Sequence, residues 1–395
     1  MTVLAIILAI LAGAGVLVWS SRHLMISAQK RKGLVLNEQY LADRPATGTL
    51  PFISMLVAAK DEEQVIERCV RTILEQDYPD FELIVINDRS TDRTTEIVAG
   101  LARQDSRVRL VNIESLPEGW CGKNNAMNSG IVQARGEWLC MTDADCCMTS
   151  RQALRAAMSY AQEKRADLLS VLPNLEMHGF WENVVQPVCG GVMVIWYQPD
   201  KVNDPAAPQA YANGAFMLMQ RAAYDAIGGH ASVKDKVNED MHMAAGIKRK
   251  GLRLCVIRNE GLYKVRMYTS LKQILRGWSR IFYGTFGTMP RLTASLGFLL
   301  VLGLAPYAAL VTGGLGALAG GASARLFGWT GWIGLAAVAA QLSAIYRFRG
   351  LTGGGQGWFW SYPIGCAVSM VAVVLAMTKL RKGAQVSWRG TVYRK

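Results

Sequence analysis

Four long apolar runs constrain this chain of 395 residues more than any other feature of its sequence. Each is close to the ~20 residues that an α-helix needs to cross a bilayer. The runs are Val3–Trp19, Leu292–Leu318, Phe327–Ile345 and Trp358–Met377. The first has no charged segment before it and no clear small-residue cleavage site after it, which favours a retained anchor over a cleaved signal peptide. The sequence therefore predicts membrane helices on both sides of one domain of ordinary size.

The net charge of +13 is unevenly distributed. From Ile247 onward the chain has 20 Lys and Arg against a single acid, Glu260, whereas residues 1–246 carry a net charge of −6. Basic residues beside apolar runs are typical of contact with anionic lipid headgroups and of the positive-inside rule, and they argue against a nucleic-acid-binding face. Arg22 and the basic residues 30–32, just after the first run, predict in the same way that the central domain is cytoplasmic.

Between residues 51 and 267, short β-branched apolar runs alternate with polar amphipathic stretches. This alternation predicts an α/β domain with a mostly parallel sheet covered by helices, whose ligands lie at the carboxyl ends of the strands. The predicted strands are Ile53–Ala58, Phe81–Asn87, Val108–Ile113, Glu137–Thr142, Asp167–Leu172, Tyr211–Met219 and Leu252–Arg258. The predicted helices include Glu63–Gln76 and Thr91–Gln104.

Acidic residues follow the first two predicted strands. Glu62 lies in the segment Lys60-Asp61-Glu62-Glu63 after the first, and Asp88 follows the second. A carboxylate at a strand end can accept hydrogen bonds from a ribose or a base, but Asp-x-Ser-Thr is also an ordinary helix N-cap. Taken alone, Asp88 is more often a cap than a ligand.

A third acidic feature, Thr142-Asp143-Ala144-Asp145, follows a strand predicted to be buried. Both of its acids can approach one divalent cation, which would complete its shell with diphosphate oxygens and water. Such a cation neutralises the charge that develops on a departing nucleotide. Paired aspartates in a loop are usually only solvated, but the strand before them favours a site for Mg²⁺ or Mn²⁺.

A fourth acidic feature, Glu239-Asp240, opens a helix predicted to run to Ile247. Carboxylates at a helix start are favoured by the macrodipole, which is a structural explanation. The functional explanation is that one of them deprotonates an acceptor hydroxyl. The residues alone leave the two interpretations equally open.

Together, these segments resemble the membrane-bound family 2 glycosyltransferases, whose catalytic domain has the GT-A fold. The resemblance covers roughly residues 53–284. It implies that Glu62 and Asp88 contact the nucleoside, that Asp143 and Asp145 form the Asp-x-Asp motif with Asp145 the stronger metal ligand, and that Asp240, beside Glu239, is the general base. Residues 117–123 resemble the segment that brings a lysine, here Lys123, towards the donor diphosphate.

A further family feature is a Gln-x-x-Arg-Trp sequence on an interfacial helix, which binds the donor diphosphate and walls the acceptor channel. This chain has Gln273, Arg276 and Trp278 in that segment, with an extra Gly277 that departs from the pattern. The surrounding residues form a basic amphipathic stretch, which favours a lipid acceptor. The Gly228-Gly229-His230 turn, ten residues before Asp240, and the late Trp388-Arg389-Gly390 look most like those of ceramide, hopanoid or carotenoid glycosyltransferases. His230 is a candidate acceptor contact, although a lone His after a glycine turn is more often structural.

The resulting prediction is a multi-pass protein of the inner cell membrane with a cytoplasmic catalytic domain. This domain is expected to transfer a sugar from a nucleotide sugar, a UDP-sugar on the basis of the resemblance, to the hydroxyl of a membrane lipid. The predicted parts of the chain are an anchor at 1–20, a basic linker at 21–50, a GT-A domain at 51–267, an interface helix at 268–291, membrane segments at 292–378 and a basic tail at 379–395.

Four alternatives are weighed against this prediction. A polyprenyl-phosphate glycosyltransferase attacks through a phosphate oxygen and needs no general base. A processive polysaccharide synthase is disfavoured because three apolar runs after the domain are few for a conducting channel. A nicotinamide oxidoreductase needs a glycine-rich fingerprint after the first strand, and residues 57–63 contain no glycine. A non-catalytic scaffold explains the apolar runs but not acids at four predicted strand or helix ends.

The topology of the C-terminal runs conflicts with the charge pattern. One crossing before the domain and three after it would place the basic tail, with Lys379, Arg381, Lys382, Arg389 and Lys395, outside the cell, against the positive-inside rule. Either one late run is re-entrant or a crossing has been miscounted. The last run is the best candidate because it contains Pro363 and Gly365.

Overall fold

The computed structural model describes the backbone of residues 2–32, 35–43, 49–381, 385–388 and 391–394, and the side chains of residues 2–28, 35–43 and 49–381. The side chains of residues 30–32, and Lys382, Arg389 and Lys395 of the predicted basic tail, lie outside the described part. The strands are β1 Val35–Leu36, β2 Ile53–Ala59, β3 Phe81–Asp88, β4 Val108–Ile113, β5 Trp138–Asp143, β6 Cys146–Met148, β7 Leu168–Leu172, β8 Asn174–Leu175, β9 Phe216–Gln220, β10 Leu254–Asn259, β11 Tyr263–Val265, β12 Gln385–Trp388 and β13 Thr391–Arg394.

The helices alternate with the strands in the middle of the chain and follow one another at its end. They are α1 Thr2–Lys32, α2 Glu38–Asp43, α3 Ile66–Leu74, α4 Thr94–Gln104, α5 Gly122–Gln133, α6 Ala153–Lys164, α7 Phe180–Trp196, α8 Pro199–Asn203, α9 Arg221–Ala226, α10 Glu239–Arg249, α11 Leu271–Phe286, α12 Met289–Phe298, α13 Ala305–Leu318, α14 Ala324–Leu351 and α15 Tyr362–Thr378. A π-helical stretch, Leu299–Leu304, joins α12 to α13, and short 3₁₀ helices cover His230–Val233 and Gln356–Ser361.

The chain divides into two compact units, each continuous in space but not in sequence. The helical unit contains Met1–Leu34, Met177–Met193 and Tyr268–Ala384. The α/β unit contains Val35–Glu176, Val194–Met267 and Gln385–Lys395.

An eight-stranded sheet forms the centre of the α/β unit, with the strand order β1-β10-β7-β9-β5-β2-β3-β4. Neighbouring strands are parallel except at β9, which runs antiparallel to both β5 and β7. Strands β2 and β3 are buried almost without interruption, because helices cover both faces of the sheet. The predicted mostly parallel α/β domain is confirmed.

The order of the strands reverses next to β2. From β2 the chain proceeds to β3 and β4 on one side, and then returns to β5 on the other side. In open α/β sheets, ligands bind in the crevice at the carboxyl ends of the strands beside such a reversal. A ligand site is therefore expected among the residues that follow β2, β3 and β5.

Three expectations about local structure differ from the observed fold. The predicted strand Tyr211–Met219 is wrong in its first half, because β9 begins only at Phe216. The predicted linker 21–50 contains the end of α1 together with β1 and α2, and β1 pairs with β10 at the edge of the main sheet. Residues Met177–Met193, inside the predicted domain 51–267, belong to the helical unit.

The helical unit contains four helices long and apolar enough to cross a membrane: Thr2–Ala28, Met289–Leu318, Ala324–Leu351 and Gln356–Thr378. They coincide with the four apolar runs and associate the chain with a membrane. Helices α13 and α14 pack closely through small residues, since a Cβ on Gly313 would lie 2.1 Å from the backbone nitrogen of Gly331. Small residues at helix contacts are typical of packing inside a bilayer, where backbones must approach closely.

Candidate active site

The loops after β2 and β3 hold each other in place at the carboxyl end of the sheet. The Glu62 amide donates to Thr94 Oγ1 at 2.8 Å, and the Thr91 amide donates to Asp61 Oδ1 at 2.7 Å. Asp61 and Arg89 have positive φ angles of 54° and 56°, which only the surrounding hydrogen bonds make tolerable for residues with side chains. The hydrogen bonds between the two loops hold them in one conformation. Backbone strain of this kind is concentrated at binding sites.

Asp88 is the last residue of β3 and its side chain is buried. Its carboxylate pairs with the Arg89 guanidinium, with Oδ1 2.8 Å from Nε. Asp88 does not cap α4, which begins at Thr94; just before that helix, Asp92 Oδ1 accepts from the Thr94 amide at 2.9 Å. A Cβ on Gly122 would lie 2.4 Å from Asp88 Oδ2, so only glycine lets α5 begin against this carboxylate.

The segment before α5 explains why Lys123 points where it does. A turn from Pro117 to Trp120 uses Gly119 at φ 77°, a conformation that favours glycine. At the start of α5, the Asn124 side-chain amide donates to the Val233 carbonyl at 2.6 Å, and the Cys121 amide donates to the Lys234 carbonyl at 2.6 Å. These bonds bind the start of α5 to the loop that leads into α10.

Lys123 joins two acids that lie far apart in the sequence. Its Nζ is 2.7 Å from Asp143 Oδ1, at the end of β5, and 2.8 Å from Glu239 Oε1, at the start of α10. Burial alone lowers the pKa of an amine, but the two carboxylates outweigh it and raise the pKa of Lys123 well above its ordinary value. Lys123 therefore stays charged and fixes both carboxylates in one place.

Asp240 lies beside this ion pair and is held by the backbone. Its Oδ2 accepts from the Gly214 amide at 2.9 Å, and its Oδ1 accepts from the Met241 amide at 2.7 Å. Burial and the neighbouring Glu239 carboxylate raise the pKa of Asp240 to about 7, against the opposing effect of Lys123. A carboxylate with a pKa near neutrality can both hold and release a proton under physiological conditions.

Gly214 is a site residue that the sequence analysis missed. A Cβ there would lie 3.1 Å from Lys123 Nζ and 3.6 Å from both Asp240 Oδ2 and Glu239 Oε1, so the three charged groups converge on this glycine. The signal for it was present, because Asn213-Gly214 is a common turn dipeptide. The apolar residues around it made the segment look like a continuous strand.

Asp143 and Asp145 bracket the buried Ala144 where β5 gives way to β6, and both are partly exposed. Within the described residues, no group of three or more His, Cys, Asp or Glu side chains could hold a metal ion by itself. Two hard oxygen donors on a turn do fit a divalent cation that takes its remaining ligands from phosphate and water, which is how Mg²⁺ and Mn²⁺ are commonly bound.

His230 is buried and packed against Tyr224. Its Nδ1 lies 3.0 Å from the Tyr224 hydroxyl, which also accepts from the His230 amide at 2.9 Å. Burial lowers the pKa of His230 to about 3, so the imidazole is neutral. This setting favours the structural role that the sequence left open for His230, and the acceptor contact stays a prediction.

Gln273, Arg276 and Trp278 lie on α11, in the helical unit. Gln273 Oε1 accepts from the Thr269 amide at 3.0 Å, next to a Ser270 cap on the helix start. Arg276 is exposed, whereas Trp278 is buried with its ring centre 5.5 Å from that of Phe282, at an interplanar angle of 43°. Their predicted roles at the donor and acceptor stay predictions.

The extra glycine that departs from the family pattern has a local explanation. A Cβ on Gly277 would lie 2.1 Å from Cζ of Tyr268, whose ring covers this turn of α11. Gly277 therefore accommodates Tyr268, and an alanine would have to displace a whole aromatic ring.

Comparison with known proteins agrees with the geometry. The model of the family described as Glycosyl transferase family 2 matches residues 54–228, which contain Asp88, Lys123, Asp143 and Asp145. Residues 54–228, which are less than half of the chain, thus match glycosyltransferase family 2. The resemblance based on the sequence motifs is thereby confirmed for this part of the chain.

Two curated relatives of this chain differ in how much of it they match. A beta-monoglucosyldiacylglycerol synthase from Nostoc sp. is 30% identical over 186 residues, which are 46% of this chain and 38% of the relative. A 4,4'-diaponeurosporenoate glycosyltransferase from Staphylococcus haemolyticus is 23% identical over 282 residues, which are 71% of this chain and 70% of that protein. The match to the first relative thus spans well under half of its length.

Among solved structures, a mannosyltransferase from Pyrobaculum calidifontis in complex with GDP-Man and Mn²⁺ is similar to this chain. The sequence identity is 19%, the TM-score is 0.48, and the alignment covers 93% of this chain and 98% of the other.

Proposed function

We propose that this chain transfers a sugar from a nucleotide-sugar donor to the hydroxyl of a membrane lipid, with inversion at the anomeric carbon. The observation that carries the proposal is the position of Asp240, whose carboxylate is fixed by two backbone amides beside the pair Lys123–Asp143. A base with a pKa near 7 next to a fixed positive charge suits deprotonation of an alcohol at one end of a displacement and an anionic leaving group at the other.

The donor side of the reaction is assigned to the carboxyl ends of β2, β3 and β5. In this proposal Asp88 and Glu62 contact the nucleoside, and Lys123 neutralises diphosphate oxygens. Asp143 and Asp145 would hold Mg²⁺ or Mn²⁺. When bound, that cation supplies charge stabilisation for the leaving nucleoside diphosphate.

The acceptor side is assigned to Asp240. In the proposed reaction an Asp240 oxygen accepts the proton of the lipid hydroxyl as that oxygen attacks the anomeric carbon, and the bond to the nucleoside diphosphate breaks on the opposite face of the sugar. Gly214 and Met241 keep the carboxylate aimed during this step through their amide hydrogens. Because there is a single displacement, the configuration of the transferred sugar inverts.

A lipid acceptor is supported by four apolar helices in the same chain and by the names of the two curated relatives, which identify a diacylglycerol glycolipid and a carotenoid derivative as products or substrates. A ceramide-like lipid is one member of this class. A UDP-sugar is the expected donor, and the proposed location is the inner cell membrane with the α/β unit on the cytoplasmic side.

The test is to incubate membranes containing the protein with a panel of labelled nucleotide sugars and to identify the labelled lipid by mass. The proposal predicts a glycoside that survives mild acid. Mild acid cleaves the bond between a sugar and a polyprenyl phosphate. A labelled product that is lost in mild acid would therefore show that the acceptor is a phosphate and not a lipid hydroxyl. A water-soluble polymer would identify a polysaccharide synthase, and no transfer from any donor would leave the scaffold interpretation.

A further inference from the structure

The chain passes between its two units at five points, and these points define one face of the membrane. They fall at Leu34/Val35, Glu176/Met177, Met193/Val194, Met267/Tyr268 and Ala384/Gln385, the last of them after α15. A folded α/β domain with polar loops cannot lie in hydrocarbon, so all five junctions are on the membrane face that carries this domain. We call it the domain face.

Trp19 marks where the first crossing reaches the domain face. It ends the first apolar run, and Arg22 follows it on the way to the first junction. Within the helical unit, Trp19 Nε1 donates to the Leu302 carbonyl at 3.1 Å, and its ring centre lies 5.6 Å from that of Tyr362. Tyr362 is the first residue of α15, so α15 begins near the domain face.

The segment that leads into α15 is tied to residues close to the second junction. The Arg349 guanidinium donates to the Asn183 carbonyl at 3.1 Å, and the rings of Trp358 and Phe180 are centred 5.6 Å apart. Asn183 and Phe180 are only a few residues beyond Met177. These contacts place the end of α14 and the turn before α15 on the domain face.

The other end of α15 is tied to residues close to the fourth junction. Just after α15, the Lys379 ammonium donates to Ser279 Oγ on α11. Exposed Lys272 and Arg276 on the same helix are typical of a helix that lies at the membrane surface. The Lys379 end of α15 is therefore on the domain face as well.

Contacts along the length of α15 agree with its two ends. It packs against α11, against α12 and against the π-helical stretch 299–304, where a Cβ on Gly303 would lie 2.7 Å from Cys366 Sγ. The onward part of that crossing, α13, packs instead against α1 and α14. By length the segment Gln356–Thr378, with 23 residues, could cross, but a crossing would place its two ends on opposite faces, about 30 Å apart across the bilayer.

We propose that α15 does not cross the membrane but lies in the leaflet on the domain face, so that the chain crosses three times. The partner of its outer surface is the lipid of that leaflet. Val371, Val374 and Leu375 are 48%, 46% and 38% exposed and face acyl chains, while the exposed Arg381 reaches anionic headgroups. The basic end of the chain then returns to the face that holds Arg22, which removes the conflict with the positive-inside rule.

The test uses single added cysteines in the full-length protein and a maleimide that cannot cross membranes. The eight native cysteines are all buried, which keeps their background labelling low. Arg103→Cys, on the exposed side of α4, reports the domain face, Ala322→Cys, between α13 and α14, reports the opposite face, and Arg381→Cys reports the end of α15. Sealed vesicles of both orientations are labelled, and detergent-opened vesicles show that each cysteine can react.

The proposal predicts that Arg381→Cys is labelled in the same vesicles as Arg103→Cys, and that Ala322→Cys is labelled in those of the other orientation. Labelling of Arg381→Cys together with Ala322→Cys would overturn it and make α15 a fourth crossing. A cysteine added after Lys395 provides a second reporter that leaves every native residue in place, and the same two outcomes apply to it. Glycosyl transfer is not required for either result.

Discussion

Buried acids occur at both ends of the central strands, but in opposite electrical settings. At the amino ends, the Glu82 carboxylate accepts from the Ser54 hydroxyl and the Arg135 amide at 2.7 Å each, and also pairs with the Arg109 and Arg135 guanidinium groups. At the carboxyl ends, the single ammonium of Lys123 pairs with both Asp143 and Glu239. One end has several donors for one acid, and the other has several acids for one cation.

The pKa values follow this difference. Burial raises the pKa of Glu82, but hydrogen bonds from Arg135 and Ser54 outweigh it and lower the pKa below its ordinary value. Burial raises the pKa of Asp240, and the adjacent Glu239 raises it further. The supply of donors thus separates a carboxylate that stays charged and stabilises the fold from one that can exchange a proton.

The largest expected effect comes from neutralising one acid at each end. Asp240→Asn removes the proposed base and should lower the turnover number by about 10² to 10⁴, with donor binding kept. Glu82→Gln makes the same chemical change at the amino end and should leave the turnover of the folded enzyme nearly unaltered. Sugar transfer and donor binding are measured for both purified variants. Comparable turnover losses in the two would contradict the division of roles.

Removing one basic side chain at each end of the strands should change the free energy of unfolding by different amounts. Lys123 is 16% exposed and Arg135 is 70% exposed. Lys123→Met leaves Glu239 buried without its ion-pair partner and should cost on the order of 3 kcal/mol of unfolding free energy, whereas Arg135→Met should cost less than about 1 kcal/mol. Denaturant unfolding in detergent, followed by tryptophan fluorescence, provides the comparison. Equal losses of unfolding free energy would mean that removing Lys123 leaves no more costly a buried charge than removing Arg135 does.

Replacing one glycine at each end of the strands should have a smaller effect, on stability at the amino ends and on turnover at the carboxyl ends. A Cβ on Gly136 would lie 2.4 Å from the backbone nitrogen of Ser54, so Gly136→Ala must move the backbone and should destabilise the fold by roughly 1 to 3 kcal/mol. At Gly214 the first neighbour is the flexible end of Lys123, so Gly214→Ala should keep the fold and lower turnover by about tenfold as that ammonium shifts. Melting temperature and turnover are measured on both, and a Gly214→Ala variant that loses stability but not turnover would refute the assignment.

Much of the fold could be predicted because its signals are local. Alternation of apolar runs and amphipathic stretches determined the sheet, and the acids at strand ends followed from reading where those runs stop. Asp143 was found in this way, and Glu239 was found at the start of a predicted helix. Their common partner Lys123 was assigned only through the family resemblance, because no spacing in the sequence shows that α5 and α10 begin side by side.

Other features depend on tertiary contacts that the sequence does not show. The helix α7 looks like part of the central domain, yet Gly365 and Val184 bring it against α15 in the helical unit, where a Cβ on Gly365 would lie 2.3 Å from the Val184 carbonyl oxygen. The proposed topology of α15 was only partly accessible. The conflict with the positive-inside rule, with Pro363 and Gly365, made the last run the best candidate for a re-entrant segment. Hydropathy left a miscounted crossing open, because it measures how apolar a segment is and not whether its ends are on opposite faces.

The most direct test of the account is the pH dependence of kcat/KM between about pH 5 and 9, measured for the native enzyme and for Glu239→Gln. Asp240 must be ionised to accept a proton, so activity should fall as the pH drops through about 7. Because the Glu239 charge raises the pKa of Asp240, Glu239→Gln should move this acid limb to lower pH even if its maximum activity is reduced. An acid limb that is missing near pH 7, or that stays in place or moves to higher pH in Glu239→Gln, would contradict the claim that crowded carboxylates prepare Asp240 as the base.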